Sequence, residues 1–231
     1  MLTDQKNTAQ SNTIQTGTPR KGNAQKSTAR KRIGIFGGAF NPVHYGHLMI
    51  GEVAADQCGL DRVIFLPSGH APHKQFLGDT MAHHRYEMTR LAIAQNPHFA
   101  ISDYEVTSGE VTYTTRSLDH FRDVYLQDEL YFIVGADSLF DFETWRDPAG
   151  ISEKCILLAA VRAEMNAERV DAQIAYLRKK FGGDIRRLDT PNFAISSREI
   201  RERIAAGRTV RYMIPASVEE YIKTNGLYAM V

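Results

Sequence analysis

From residue 32 onward, short apolar runs alternate with longer stretches in which apolar residues recur every three or four positions. The run from Glu129 to Val134 is apolar at nearly every position, as a parallel strand buried on both faces requires. The pattern predicts strands over 32–36, 62–66, 99–103, 129–134, 154–160 and 184–188, and helices over 46–58, 81–95, 114–127, 166–180, 197–206 and 216–224. The helix over 81–95, for example, carries Tyr86, Met88, Leu91 and Ile93, with Pro97 beyond its end. Strict alternation implies right-handed strand–helix–strand units, so the expected fold class is α/β, a doubly wound parallel sheet in one domain spanning 32–231. Ligands in such sheets sit beyond the carboxyl ends of the strands. Four segments fall there: the string 33–47, Leu66-Pro67-Ser68, Gly135-Ala136-Asp137 and the stretch beginning at Ile195. That convergence predicts a single site.

The string from Ile33 to His47 reads as strand, tight loop, helix. Gly37 and Gly38 carry no Cβ, so the backbone there can approach a ligand closely. The helix that follows opens with free N–H groups and a positive dipole end, which suits phosphate. His44 and His47, three apart, project to one side of its first turn. Two glycines after a strand can be only a turn, and His-x-x-His can be half of a metal site. No further metal ligands lie near these two, and no metal ligand is assigned to the protein.

Length and composition bound the rest. The 231 residues suffice for one large α/β domain. No apolar run approaches the roughly 20 residues that span a membrane. Residues 1–32 hold seven Lys/Arg and one Asp, whereas the whole chain has a net charge of +1, so the remainder carries −5. An acidic body argues against a broad nucleic-acid surface. Residues 1–31 are polar, basic and almost without apolar side chains, so a disordered tail is expected. It lacks the apolar stretch of a secretory signal and the apolar face of a transit peptide. Cys58 and Cys155 give no disulfide framework, and a cytoplasmic location is the expectation.

Taken in order, Gly37-Gly38-Ala39-Phe40-Asn41-Pro42 followed by His44-Tyr45-Gly46-His47 resembles the signature of the nucleotidyltransferases that carry a His-x-Gly-His motif. About 150 residues downstream, Ile195-Ser196-Ser197-Arg198-Glu199-Ile200-Arg201 resembles the phosphate-binding segment of that superfamily. Members often have Asp where this chain has Asn41; the departure is mild, since Asn caps a turn as Asp does. Pro72-His73-Lys74, Tyr113-Thr114, Gly135-x-Asp137 and Trp145 narrow the likeness to the bacterial nicotinate mononucleotide adenylyltransferase family, over residues 32–228.

The resemblance implies a Rossmann-like fold and transfer of the adenylyl group of ATP to the phosphate of nicotinate mononucleotide, giving nicotinate adenine dinucleotide and pyrophosphate. It implies His44, His47 and Arg201 as the catalytic set. Gly37, Gly38, Phe40, Asp137, Ile195, Ser196 and Ser197 join them around ATP. Lys74, Thr114, Trp145 and Arg146 are implied around the acceptor, with Mg²⁺ carried by the ATP phosphates. Phosphate is already a nucleophile, so the protein need only hold two polyanions in line and stabilise the leaving charge. Plainer roles stay open beside these. Lys74 is also readable as a solvated loop lysine, Trp145 as core, and Asp137 as a helix N-cap after Gly135. Ser196 with Glu199 also fits a capping box. Arg85 and His70 are further basic groups with no assigned role.

Rival functions are the amide form of the same reaction, pantetheine phosphate adenylyl transfer, and a non-catalytic nucleotide sensor. A neutral amide needs an acceptor partner where a carboxylate needs only donors. No match to Tyr113-Thr114 and the Trp145 segment is known in the pantetheine enzymes, and a sensor would be marked by loss of a motif histidine. The sequence leaves a homo-oligomer open.

Overall fold

The computed structural model describes residues 13–14, 30–69, 79–162, 166–192 and 194–229. Its centre is a sheet of strands β1 (Thr13–Ile14), β2 (Arg32–Gly38), β3 (Arg62–Pro67), β4 (Phe99–Ser102), β5 (Glu129–Gly135), β6 (Ile156–Arg162) and β7 (Ile185–Thr190), ordered β1-β4-β3-β2-β5-β6-β7. Every neighbouring pair is parallel. The six strands after residue 32 are those expected from the apolar runs, and the architecture is the doubly wound, Rossmann-like one. Ile35 pairs with Ile64 on one side and with Phe132 on the other, so β2 is central and the winding reverses between β2 and β5. That reversal leaves a crevice at the carboxyl ends of these two strands.

The expected disordered tail, residues 1–31, lies outside the described residues apart from Thr13–Ile14 and Arg30–Lys31. Thr13 and Ile14 pair with Ile101 and Ser102 at the edge of β4, where an unpaired row of N–H and C=O groups offers a template.

Six helices match the periodic stretches: α1 (Tyr45–Cys58), α2 (Asp79–Ile93), α4 (Thr114–Val124), α7 (Ala167–Phe181), α8 (Ser197–Ala205) and α9 (Ala216–Thr224). Three others, α3 (Tyr104–Thr107), α5 (Ala136–Phe140) and α6 (Pro148–Lys154), were not expected. Helices this short have no periodicity to read and exist only because neighbours hold them. Among the described residues no helix is long and apolar enough to cross a membrane.

Strand alternation divides the core between the two faces of the sheet. Leu130, Phe132 and Val134 of β5 face one layer with Leu118, Leu139, Ile151 and Leu177. Tyr131 and Ile133 face the other, with Ala54, Met88, Ile200, Val218 and Ile222. Burial of each large apolar side chain contributes roughly 1.5–3 kcal/mol, which fixes strand register and with it the position of every strand end.

Candidate active site

The site begins where β2 runs out. A Cβ on Gly37 would lie 2.9 Å from Cζ of Phe132, and one on Gly38 2.9 Å from Cζ of Phe40. Both glycines are therefore required by close packing as well as by access. Phe40 sits at φ 45, a left-handed conformation that is uncommon for a bulky residue. Its ring is buried, edge-on to Phe36 at 5.4 Å and to His47 at 5.0 Å. Phe40 lines the first cleft, and its ring is the floor beneath His47.

Asn41-Pro42 then turns the chain through a cis peptide into α1. Extended His44 is the N-cap of α1, and its N–H donates to Nδ1 of His47 at 3.3 Å. The two imidazoles stack at 3.7 Å. With Nδ1 accepting, a neutral His47 carries its proton on Nε2 and presents it as a donor. His44 is 5% exposed and His47 half-buried. Gly46 completes the packing, since a Cβ there would come to 3.0 Å from Cε1 and Nδ1 of His44.

The second motif arrives from the far end of the chain. Ser196 is the N-cap of α8 and accepts from the Glu199 N–H at 3.1 Å; this is half of the expected capping box, while the Glu199 carboxylate turns to Arg203. Ser197 Oγ donates to the Pro42 carbonyl at 2.9 Å, and Arg201 donates to the Asn41 carbonyl at 2.7 Å. The two motifs are therefore physically joined. Their N-termini open on one cleft of about 270 Å³, lined among others by Gly37, Gly38, His44, Gly46, His47, Ile195, Ser196 and Ser197. Two helix dipoles, each equivalent to roughly half a positive charge, face the same space. Arg201 stands behind that wall, with one nitrogen committed to Asn41.

A second cleft, of about 340 Å³, lies across the crevice and is lined by Thr112, Tyr113, Thr114, Trp145 and Arg146. Gly37, Gly38 and Gly135 line both clefts. Trp145 is half-buried, packed at 5.6 Å on Phe142 and edge-on to Phe132 at 6.4 Å, so it is both core margin and cleft wall. The Arg146 guanidinium lies 4.6 Å over the Tyr113 ring. Asp147, two residues after Trp145 and left-handed at φ 58, caps α6 by accepting from the Gly150 N–H.

Two charged groups brace the crevice from below. Arg85 is 2% exposed and donates to the carbonyls of Ala39 at 2.8 Å and Ser68 at 2.5 Å. Burial pulls its pKa down, and nearby Glu105 and Tyr228 oppose that pull. Its guanidinium is spent chiefly on backbone carbonyls, so it braces the turn between Gly38 and Asn41. Glu105 is half-buried as a residue, but its carboxyl is enclosed; burial pushes its pKa up, against the hydrogen bond from Ser117. Ser117 Oγ donates to it at 2.6 Å.

Of the remaining expected residues, Asp137 is exposed in the first turn of α5 and lines neither cleft. The N-cap there is Gly135, not Asp137. Lys74 and His70 lie outside the described residues. Sequence reasoning missed Glu105 and Thr112 in the second cleft and Thr190 in the first, none of which stands in a recognisable pattern.

A family model described as cytidylyltransferase-like matches residues 35–203. A "Probable nicotinate-nucleotide adenylyltransferase" of Thermoanaerobacter sp. is 41% identical over 198 residues, covering 85% of this chain and 94% of that protein. Its namesake in Thermomicrobium roseum is 43% identical over 201 residues, covering 87% and 92%. In fold, the chain is similar to the solved Plasmodium falciparum nicotinic acid mononucleotide adenylyltransferase complexed with NaAD, with a TM-score of 0.71 at 20% identity over 86% of this chain and 98% of that one. The chain belongs to the cytidylyltransferase-like family and, within it, to the nicotinate-nucleotide adenylyltransferases.

Proposed function

We propose that this protein joins ATP to nicotinate mononucleotide by direct in-line displacement. An oxygen of the mononucleotide phosphate attacks the α-phosphorus of ATP, the bond to the β-phosphate breaks, and pyrophosphate leaves. No enzyme-bound intermediate is needed. ATP lies in the first cleft, with His47 Nε2, the α1 and α8 N–H groups and the Ser196 hydroxyl on its phosphates and the Arg201 charge beside them. His44 holds His47 in its tautomer. Asp137, exposed at the start of α5, is the group for a ribose hydroxyl. The acceptor lies in the second cleft against Trp145, with Thr114 and the backbone at Arg146 on the pyridine carboxylate.

The single observation supporting this reading is that two motifs about 150 residues apart line one cleft, which opens across bare glycines into a second cleft with an aromatic wall. The reacting groups of two ligands would meet over those glycines. The donors around the first cleft (imidazole, hydroxyl and backbone N–H) suit phosphate oxygens, and among the described residues no cluster of His, Cys, Asp and Glu could hold a metal unaided. Mg²⁺ would therefore arrive bound to the triphosphate, where it neutralises phosphate charge. Free cysteines at 58 and 155 fit a reducing cytoplasm.

The test is to give the pure protein ATP with nicotinate mononucleotide or with nicotinamide mononucleotide and compare kcat/KM. The acid is expected to be preferred. Preference for the amide overturns the acceptor assignment, and no turnover of either overturns the reading.

A further inference from the structure

We infer that Tyr228 is a positioning residue for adenylyl transfer, acting through Asn41 on the histidine pair. The inference rests on the activity proposed above. Its basis is how the segment Ala39 to Pro42 is held. Arg85 donates to the Ala39 carbonyl at 2.8 Å, Arg201 to the Asn41 carbonyl at 2.7 Å and Ser197 to the Pro42 carbonyl at 2.9 Å. Tyr228 donates its hydroxyl to Oδ1 of Asn41 at 2.5 Å. Three of these donors hold main chain, whereas Tyr228 alone holds a side chain.

That difference has a chemical consequence. An Asn carboxamide has one acceptor end and one donor end, and either orientation fits the same space. The Tyr228 hydroxyl could accept from Nδ2 as well as donate to Oδ1; in this arrangement it donates, and the bond fixes χ2. Asn41 is 7% exposed, so water cannot take over this choice. Three residues later the chain delivers His44, whose N–H sets the tautomer of His47. A turn free to swing at Asn41 would move both rings together, because they are stacked.

Tyr228 is itself placed by deliberate local geometry. It lies at φ 66, just past Gly226 at φ 61, where the chain doubles back after α9. Leu227 donates to the Ile222 carbonyl at 3.0 Å and anchors this return. Burial pushes the Tyr228 hydroxyl pKa well up, with Arg201 and Arg85 opposing, so it stays a protonated donor across the working pH range. A left-handed, half-buried tyrosine is an expensive way to end a helix if packing alone were the need.

The experiment uses the full chain with ATP and nicotinate mononucleotide, measuring kcat, both KM values and Tm for wild type, Tyr228→Phe, Asn41→Ala, Asn41→Asp and the double variant Tyr228→Phe/Asn41→Ala. Tyr228→Phe is expected to lower kcat about tenfold, the scale of one hydrogen bond, with acceptor KM within about twofold and Tm nearly unchanged. Asn41→Ala is expected to do the same, the double variant no worse than either, and Asn41→Asp, which keeps the acceptor, to retain turnover. Wild-type kcat in Tyr228→Phe overturns the inference. Additive losses in the double variant, or losses that simply follow Tm, overturn it too, since they mark a structural tyrosine. Absence of turnover in the wild type would instead remove the parent reading.

Discussion

Arg201 donates to the carbonyl of Asn41 across 160 positions of sequence, so the two ends of the domain meet at the turn that carries the histidines. This bond, with that of Ser197 to Pro42, is what makes one cleft from two motifs. It also means that one nitrogen of the guanidinium is committed to holding the turn.

His47→Ala is expected to lower kcat by about a hundredfold, the order found when one transition-state donor is removed. The acceptor KM should shift little, because the ring lines the first cleft and not the second. Steady-state kinetics with each substrate varied in turn will check this; near-normal turnover would remove His47 from the mechanism.

Gly46→Ala separates positioning from stability. Alanine is the better helix former by roughly 0.5–1 kcal/mol, so Tm should hold or rise. The new methyl would crowd His44 at 3.0 Å and push its ring from the stack. A loss of about tenfold or more in kcat with unchanged Tm is expected. Wild-type turnover would show that the His44 ring has room to spare.

Trp145→Ala should weaken acceptor binding by roughly 1–3 kcal/mol, the range for stacking of a base on an aromatic side chain. ATP binding should be nearly unaffected. Because Trp145 also packs on Phe142, some loss of Tm is expected, and Trp145→Phe should recover Tm more fully than affinity. Titration of the acceptor against each variant will separate the two roles.

Glu105→Gln carries a pH signature. The folded carboxyl has its pKa raised, chiefly by burial, so ionising it costs stability that is present below its ordinary range and lost as pH climbs through the folded value. Glutamine keeps the shape, and its amide oxygen still accepts from Ser117. The Tm advantage of the variant over wild type should therefore grow between pH about 4.5 and about 7.5. Thermal melts at both values will test it; a gap that shrinks with pH would mean that the Arg85 charge outweighs burial.

Much of this was legible in the sequence, and for identifiable reasons. The strand over 129–134 could be read because burial on both faces leaves it apolar at nearly every position after Glu129. The histidine motif and the Ile195 segment could be read because each is local, a strand end followed by a helix start. What stayed hidden depends on distance. Tyr228 looks like any C-terminal tyrosine until its hydroxyl is found on a residue 187 positions away. Arg85 reads only as a further basic group near the site, and burial is what shows its charge spent on carbonyls. Glu105 is a lone acid on a helix of four residues, too short to announce itself.

Gly37, Gly38 and Gly135 put no side chain between the two clefts. Each substrate of the proposed reaction enters as a monovalent guest, held on one side of this low ridge. The product of that reaction would straddle it, and its two halves would reinforce each other's hold. Nothing on the ridge pries the halves apart. Escape would require both grips to loosen within the same interval, which would make product departure the slow step of the proposed reaction.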